Sequence, residues 1–288
     1  MSPWAAIAVA AVVLSATALA LALWRGAARW EASTARLLEG LRGLSASMAG
    51  GVFREEDLRG LPTPVSRYFR LALREGQPLV RRARLLQRGQ FNLAASAQKS
   101  RWRRLQAEQH FSAGPPGFLW DARIRTAPLM AVRVRDAYIG AEGSMLGKLL
   151  HLFTVVDEAG KAELNEGALQ RYLAEAVWLP TALLPSRGVR WTAVDDARAL
   201  AELTDAGTTV SLEFHFNEEG EVSGVFTPGR HRAVGGKFVP TPWAGRFRDY
   251  QVRGGMRVPL EAEAEWQLPE GTLPYWRGRI VEIEYEYE

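Results

Sequence analysis

The strongest constraint on this chain is a period of two that recurs from about residue 79 to its end. In FLWDARIRT (118–126), Phe118, Trp120, Ala122 and Ile124 fall on one side, and Leu119, Asp121, Arg123 and Arg125 on the other. TTVSLEFHF sets Val210, Leu212, Phe214 and Phe216 against Thr209, Ser211, Glu213 and His215. The last run, RIVEIEYEYE, sets Val281, Ile283, Tyr285 and Tyr287 against Glu282, Glu284, Glu286 and Glu288. Successive strand side chains point to opposite faces, so this alternation predicts antiparallel strands with one face buried and one wet. Further strands are expected at 80–93, 101–111, 130–139, 189–194, 198–204, 221–227, 245–252 and 261–268, separated by Gly-, Pro-, Asn- and Asp-rich turns.

Two segments interrupt this pattern with helical spacing. VSRYFRLALREG places Val65, Tyr68, Phe69 and Leu73 on one face, with Gly76 as the expected C-cap. EGALQRYLAEAVW (166–178) has an apolar face of Leu169, Tyr172, Leu173, Ala176 and Val177 and stops at Leu179-Pro180. A sheet of about ten strands must curl to bury its inner face, and a helix is the natural plug if it curls without closing. The expected fold is therefore α+β and mainly antiparallel β: a curved half-barrel of about ten strands packed on one or two helices, preceded by an N-terminal transmembrane helix.

That leading helix comes from residues 4–24, which carry no charge over 21 positions and are bracketed by Trp4 and Trp24. At 1.5 Å per residue they reach about 30 Å, the hydrocarbon thickness of a bilayer. A cleavable signal peptide is the competing reading, but its basic n-region is missing and the apolar run is longer than such a core. GAARWEASTARLLEGLRGLSASM (26–48) continues as a helix with a stripe of Leu37, Leu38, Leu41 and Leu44. The expected division is an anchor at 1–25, a helical stalk and linker at 26–60, and a β-rich domain at 61–288. Arg25, Arg29, Arg36 and Arg42 follow the apolar run, and the positive-inside rule places the domain in the cytoplasm.

Composition narrows the chemistry. The absence of cysteine excludes a disulfide framework, a thiolate nucleophile and thiolate-bound metal centres. The net charge of +4 lacks the concentrated footprint of a nucleic-acid binder, so no nucleic-acid partner is expected. No catalytic or phosphate-loop signature is present, and no cofactor, metal or catalytic residue is assigned. The glycine-rich stretch 140–147 reads as a turn.

Three polar residues form the candidate polar site. Glu108 and His110 share one strand face, where a carboxylate can orient an imidazole. Glu175 stands four residues after Arg171. It forms either a surface ion pair or, if the helix is sandwiched, a pair that requires an internal partner. His215, His231 and Glu213 lack a metal-ligand spacing. Trp102, Trp120, Trp178, Phe214 and Phe216 are candidate liners of an apolar concavity, with core packing as the plain alternative. Residues 67–104 hold 11 basic side chains and one acid, Glu75. This block fits either anionic lipid headgroups or the Glu-rich last strand.

The run LPTPVSRYFR, AEQ at 107–109, PGFLW at 116–120, RYLAEAVWLPTALLP, FNEEG at 216–220 and the W-x-L-x-x-G-x-x-P-Y-W-R of 266–277 resemble an uncharacterised bacterial family of membrane-associated proteins. The resemblance spans about 60–287 and implies no activity. Through Pro115–Trp120 and the strand from Val132 to Tyr138, the chain is also similar to the LolA/LolB-like lipoprotein carriers. That resemblance implies a half-barrel with an interior for acyl chains and a periplasmic domain on the inner membrane, opposite to the charge rule. The function expected is non-catalytic binding of a lipid or acylated ligand by a membrane-anchored protein, with membrane lipids and a possible protein as partners. The alternatives are a ligand-free interaction or regulatory module and, third, a lipid-modifying enzyme.

Overall fold

The computed structural model describes every residue except 1, 46–49, 95, 97, 98, 129 and 288. Residues 46–48 of the expected stalk helix and Glu288 of the last run lie outside the described residues. Helix α1 (Pro3–Leu44) is a single unbroken helix. Ser2 caps it, its side-chain oxygen accepting from the Ala5 N–H at 3.3 Å, and Pro3 stands where a missing N–H costs nothing. The apolar first half stands clear of the domain and is long enough to cross a bilayer. The second half, expected as a stalk, lies along the outer face of the sheet.

Among the described residues thirteen antiparallel strands form one sheet: β1 (Val80–Asn92), β2 (Trp102–Ala113), β3 (Pro116–Ala127), β4 (Met130–Ile139), β5 (Glu142–Leu149), β6 (Phe153–Ala159), β7 (Arg190–Ala193), β8 (Arg198–Asp205), β9 (Thr208–Phe216), β10 (Val222–Val234), β11 (Lys237–Arg253), β12 (Met256–Leu268) and β13 (Gly271–Tyr287). Their spatial order is β6-β5-β4-β3-β2-β1-β13-β12-β11-β10-β9-β8-β7, a meander in which the chain's last strand pairs with its first. β5 and β6 have no counterpart among the expected strands. They occupy the edge of the sheet, and β6 leaves Phe153 and Val155 exposed, so neither carries the alternation that marks the others.

The curl is helped by β-bulges, which bend the strand that carries the extra residue. One of them changes the parity of the last strand. Leu86 faces Glu282 but Gln87 faces Ile280, which leaves Val281 unpaired and half exposed while Ile280 turns into the core. Val281 therefore does not share the buried face of Ile283 and Tyr285.

Helix α2 (Thr63–Ala72) buries Val65, Tyr68, Phe69 and Ala72 at one end of the half-barrel. Leu73 is its C-cap, and Gly76, at φ +77°, belongs to the turn beyond. Helix α3 (Ala162–Glu175) runs through the concavity, and short 3-10 turns over 176–187 continue the plug. Trp178, Tyr172, Phe118, Phe111 and Phe214 are fully buried around it. The sheet wraps far enough for the Tyr138 hydroxyl on β4 to donate to Asp205 Oδ2 on β8 at 2.8 Å.

On the outer face, Trp30 of α1 is 3% exposed and Leu41 2%, the latter packed on Leu119 and Ala137. Trp30 Nε1 donates to Asp121 Oδ2 at 2.8 Å, and Arg135 donates to the hydroxyls of Ser33 and Thr34, each at 2.8 Å. Two glycines allow the close approach. A Cβ on Gly26 would stand 2.8 Å from the His151 carbonyl oxygen, and one on Gly117 would meet Leu41 Cδ1 at 2.8 Å.

Candidate functional site: an aromatic mouth over a buried ionic cluster

The inner face of β1 is set by odd-numbered residues, and that of β2 likewise. Gln87 and Gln109 therefore point into the concavity, where both are buried. Gln87 Nε2 donates to Gln109 Oε1 at 2.7 Å, and Gln109 Nε2 donates to Glu175 Oε2 at 2.6 Å. Arg171 bridges Glu175 Oε1 at 2.9 Å and Asp136 Oδ2 at 2.6 Å, and its guanidinium lies over the rings of Phe118 and Trp120. Trp120 Nε1 closes the network on Gln87 Oε1 at 2.9 Å. Burial works against the Arg171 charge, but the carboxylates of Glu175 and Asp136 more than offset it and raise its pKa. A buried charge needs such partners, and the sandwiched helix has them.

Beside this cluster, aromatic residues from four adjacent strands, Trp243 buried and Phe91, Trp266 and Tyr275 half-buried, gather near the end of the concavity. Trp243 Nε1 donates to the Tyr275 hydroxyl at 3.0 Å, and Tyr275 stacks on Trp266 at 5.8 Å and meets Phe91 edge-on at 6.0 Å. Arg230 of β10 lies over the Trp243 ring at 4.9 Å, and its Nη1 is buried with no hydrogen-bond partner among the described residues. Burial lowers the Arg230 pKa most, with Arg171 adding to that effect and Tyr275 and Asp136 opposing it. Trp276 Nε1 is a second buried donor without a partner among the described residues. Register places this mouth along the edge of the sheet from which α1 leaves. Phe91 pairs with Arg103, Leu105 with Ile124 and Arg125 with Ala131, whose carbonyl accepts from Leu150 in the turn against Gly26.

The residues singled out in the sequence divide between the two faces. Trp120, Trp178, Phe214 and Phe216 point inward and are buried in the core, with Trp178 Nε1 donating to the Pro259 carbonyl at 3.0 Å. Trp102 falls on the outer face, where Arg277 stacks on it at 4.3 Å. Leu105, Ala107 and Phe111 take the inward parity of its strand, which turns Trp102 outward.

Glu108 and His110 are also on the outer face, away from Glu175. His110 Nε2 lies 3.0 Å from Glu108 Oε1, which also accepts from Arg84 at 2.7 Å. His110 lines a cleft of about 230 Å³ between the end of α1 and the sheet, together with Leu38, Arg42 and Glu284. Burial lowers the His110 pKa, and Glu108 only partly opposes it. For Glu108, burial alone would raise the carboxyl, but hydrogen bonding from Arg84 and the charges of His110 and Arg84 leave it lowered. Elsewhere on the outer face, His215 Nε2 lies 2.8 Å from Glu213. His231 lies 3.5 Å from Glu166. Among the described residues no three such side chains converge as a metal site.

The basic block 67–104 is divided too. Arg82 pairs with Glu286, and Arg84 with Glu282 and Glu284, on the last strand. Arg101 and Arg104 stay exposed without acidic partners among the described residues.

The fold and site together define a helix-plugged antiparallel half-barrel with an aromatic mouth, carried on a long N-terminal helix. Residues 59–285 match the model of a family described as a family of unknown function (DUF6920), and the chain belongs to that family. No curated protein matches. Among solved structures, the LolA superfamily protein NE2245 from Nitrosomonas europaea is similar at 10% identity and a TM-score of 0.31, over 78% of this chain and 93% of its own.

Proposed function

We propose that this protein is a membrane-anchored, non-catalytic binder of a lipid or other acylated ligand carrying an anionic group, taken up at the aromatic mouth. The observation that carries this reading is Arg230, whose buried Nη1 has no acceptor among the described residues, beside the aromatic group of Trp243, Tyr275, Trp266 and Phe91. A buried donor left unsatisfied costs free energy that a ligand oxygen would recover, and aromatic walls suit the adjoining apolar part. The apolar half of α1, read as an anchor, keeps the mouth beside the lipid supply.

The test is photocrosslinking of the full chain in detergent with an anionic phospholipid that carries a diazirine in one acyl chain. Adducts are expected on peptides containing Phe91, Trp243 or Tyr275, and Trp243→Ala with Tyr275→Ala should reduce them several-fold. Adducts confined to residues 3–25 would overturn the reading.

A second reading, an interaction module without a ligand, is favoured by the core beside α3, where Trp178, Tyr172 and Leu173 are all buried. In that case the mouth residues would be protected by a protein partner and would give no lipid adducts.

A further inference from the structure

The last residue of the apolar span, Trp24, lies two positions before Gly26, which is in contact with the β5–β6 turn at His151. Two residues rise about 3 Å along a helix, so the turn sits level with the end of the span. The rest of α1 cannot swing away from the sheet without breaking the contacts of Trp30 with Asp121 and of Ser33 and Thr34 with Arg135. The edge that holds the β5–β6, β3–β4 and β1–β2 connections is thus fixed at the height where the apolar helix surface begins.

What that edge presents is unusual for a surface facing water. Phe153 is 63% exposed and Val155 58%, and Met130 and Leu93 are each 39% exposed. Segments 3–30, 93–104, 123–133 and 146–153 together contain ten basic side chains and no Asp or Glu. Among the described residues only Arg133 of these ten has acidic partners, Asp121 and Glu31. Exposed apolar tips within an unneutralised cationic field match a phospholipid surface, with acyl chains below and phosphates at the level of the charges. Trp102 lies on the same edge, and an indole there is suited to the headgroup layer.

We propose that this edge seats on a bilayer surface rich in anionic phospholipid, so that the domain is held against the membrane with its mouth at the lipid. The inference rests on the anchor reading of α1 given above, and its test separates the two. The chain has no cysteine, so single substitutions label cleanly. Full-length Val13→Cys, Met130→Cys, Phe153→Cys and Glu218→Cys, each carrying an environment-sensitive fluorophore, are reconstituted into phosphatidylcholine vesicles with or without phosphatidylglycerol. Spin-labelled lipids then quench from the headgroup or the acyl region.

Quenching at 13 by the acyl-region label is expected. At 130 and 153, quenching by the headgroup label should exceed that at 218 several-fold when phosphatidylglycerol is present. Arg123→Glu with Arg125→Glu, both at exposed positions, should bring the label at 130 down to the level of 218 while leaving 13 unchanged. Quenching at 13 with 130 and 153 no different from 218 would overturn the seating and leave the anchor standing. No quenching at 13 would overturn the anchor and the seating with it. Equal quenching at 130 and 153 in both vesicle types would overturn the anionic assignment.

Discussion

His110 is held by opposing influences that its neighbours in sequence only partly reveal. Burial under the end of α1 lowers its pKa most strongly; Glu108 favours the imidazolium, and Arg84 and Arg42 disfavour it. A base whose pKa is depressed in the fold is neutral there while the unfolded chain is already binding a proton. Its contribution to stability is full above the unfolded pKa, near 6.5, and is lost as pH falls through the folded value. Stability to urea should therefore rise with pH up to about 6.5, and His110→Gln should flatten part of that rise. His151, whose pKa is also lowered by burial and by Arg133, accounts for another part. The decisive measurement is the NMR titration of the His110 ring, with an expected midpoint below 6.5. A midpoint above that value would mean that Glu108 dominates. Glu108 acts in a lower window: its lowered pKa contributes stability above the ordinary carboxyl value of 4.5 that is lost as pH falls below it.

At the scale of elements, α3 is fixed in the concavity by both apolar packing and the Arg171–Asp136–Glu175 cluster. Removing Arg171 leaves both Asp136 and Glu175 buried without the cation that pairs them. Arg171→Met should therefore destabilise the protein by about 3–5 kcal/mol. Arg171→Met combined with Asp136→Leu and Glu175→Met should lose much less, because no orphan charge remains. Chemical denaturation of the two variants tests this, and equal losses would mean that the cluster also positions α3 through its hydrogen bonds to Gln109.

Much of this architecture was legible in the sequence because strand parity is local. Phe118 to Ile124 and Val210 to Phe216 show their buried faces directly, and a sandwiched helix already required an internal partner for Glu175. The same parity holds for Trp102, where Leu105, Ala107 and Phe111 fix the inward positions of its strand, so the structure corrects its reading as a concavity liner. Val281 was not, because a bulge depends on the partner strand. β5 and β6 were not, because an edge strand with little buried face carries no alternation. The mouth was least legible: Arg230, Trp243, Trp266 and Tyr275 are separated along the chain and meet only when the sheet curls.

For the whole molecule, the boundary between the free apolar helix and the folded domain falls inside α1. Residues 26–45 cover the outer face of the sheet, with Trp30 and Leu41 buried and Asp121 and Arg135 hydrogen-bonded to the helix. Chains beginning at residue 26 should therefore melt as the full protein does, while chains beginning at 46 should not. Losing a buried Trp alone costs about 3–5 kcal/mol, and a protein of this size loses about 2–4 °C of Tm per kcal/mol. Circular-dichroism melts should place the shorter chain about 10 °C below the longer, with a greater tendency to aggregate through Leu119 and Ala137. Equal melting would make the second half of α1 a separable stalk. A large difference would make it a rigid strut, in which case any force or lipid rearrangement acting on the span reaches the sheet through Trp30. In the anchored reading proposed above, only the strut would hold the mouth at one height above the bilayer.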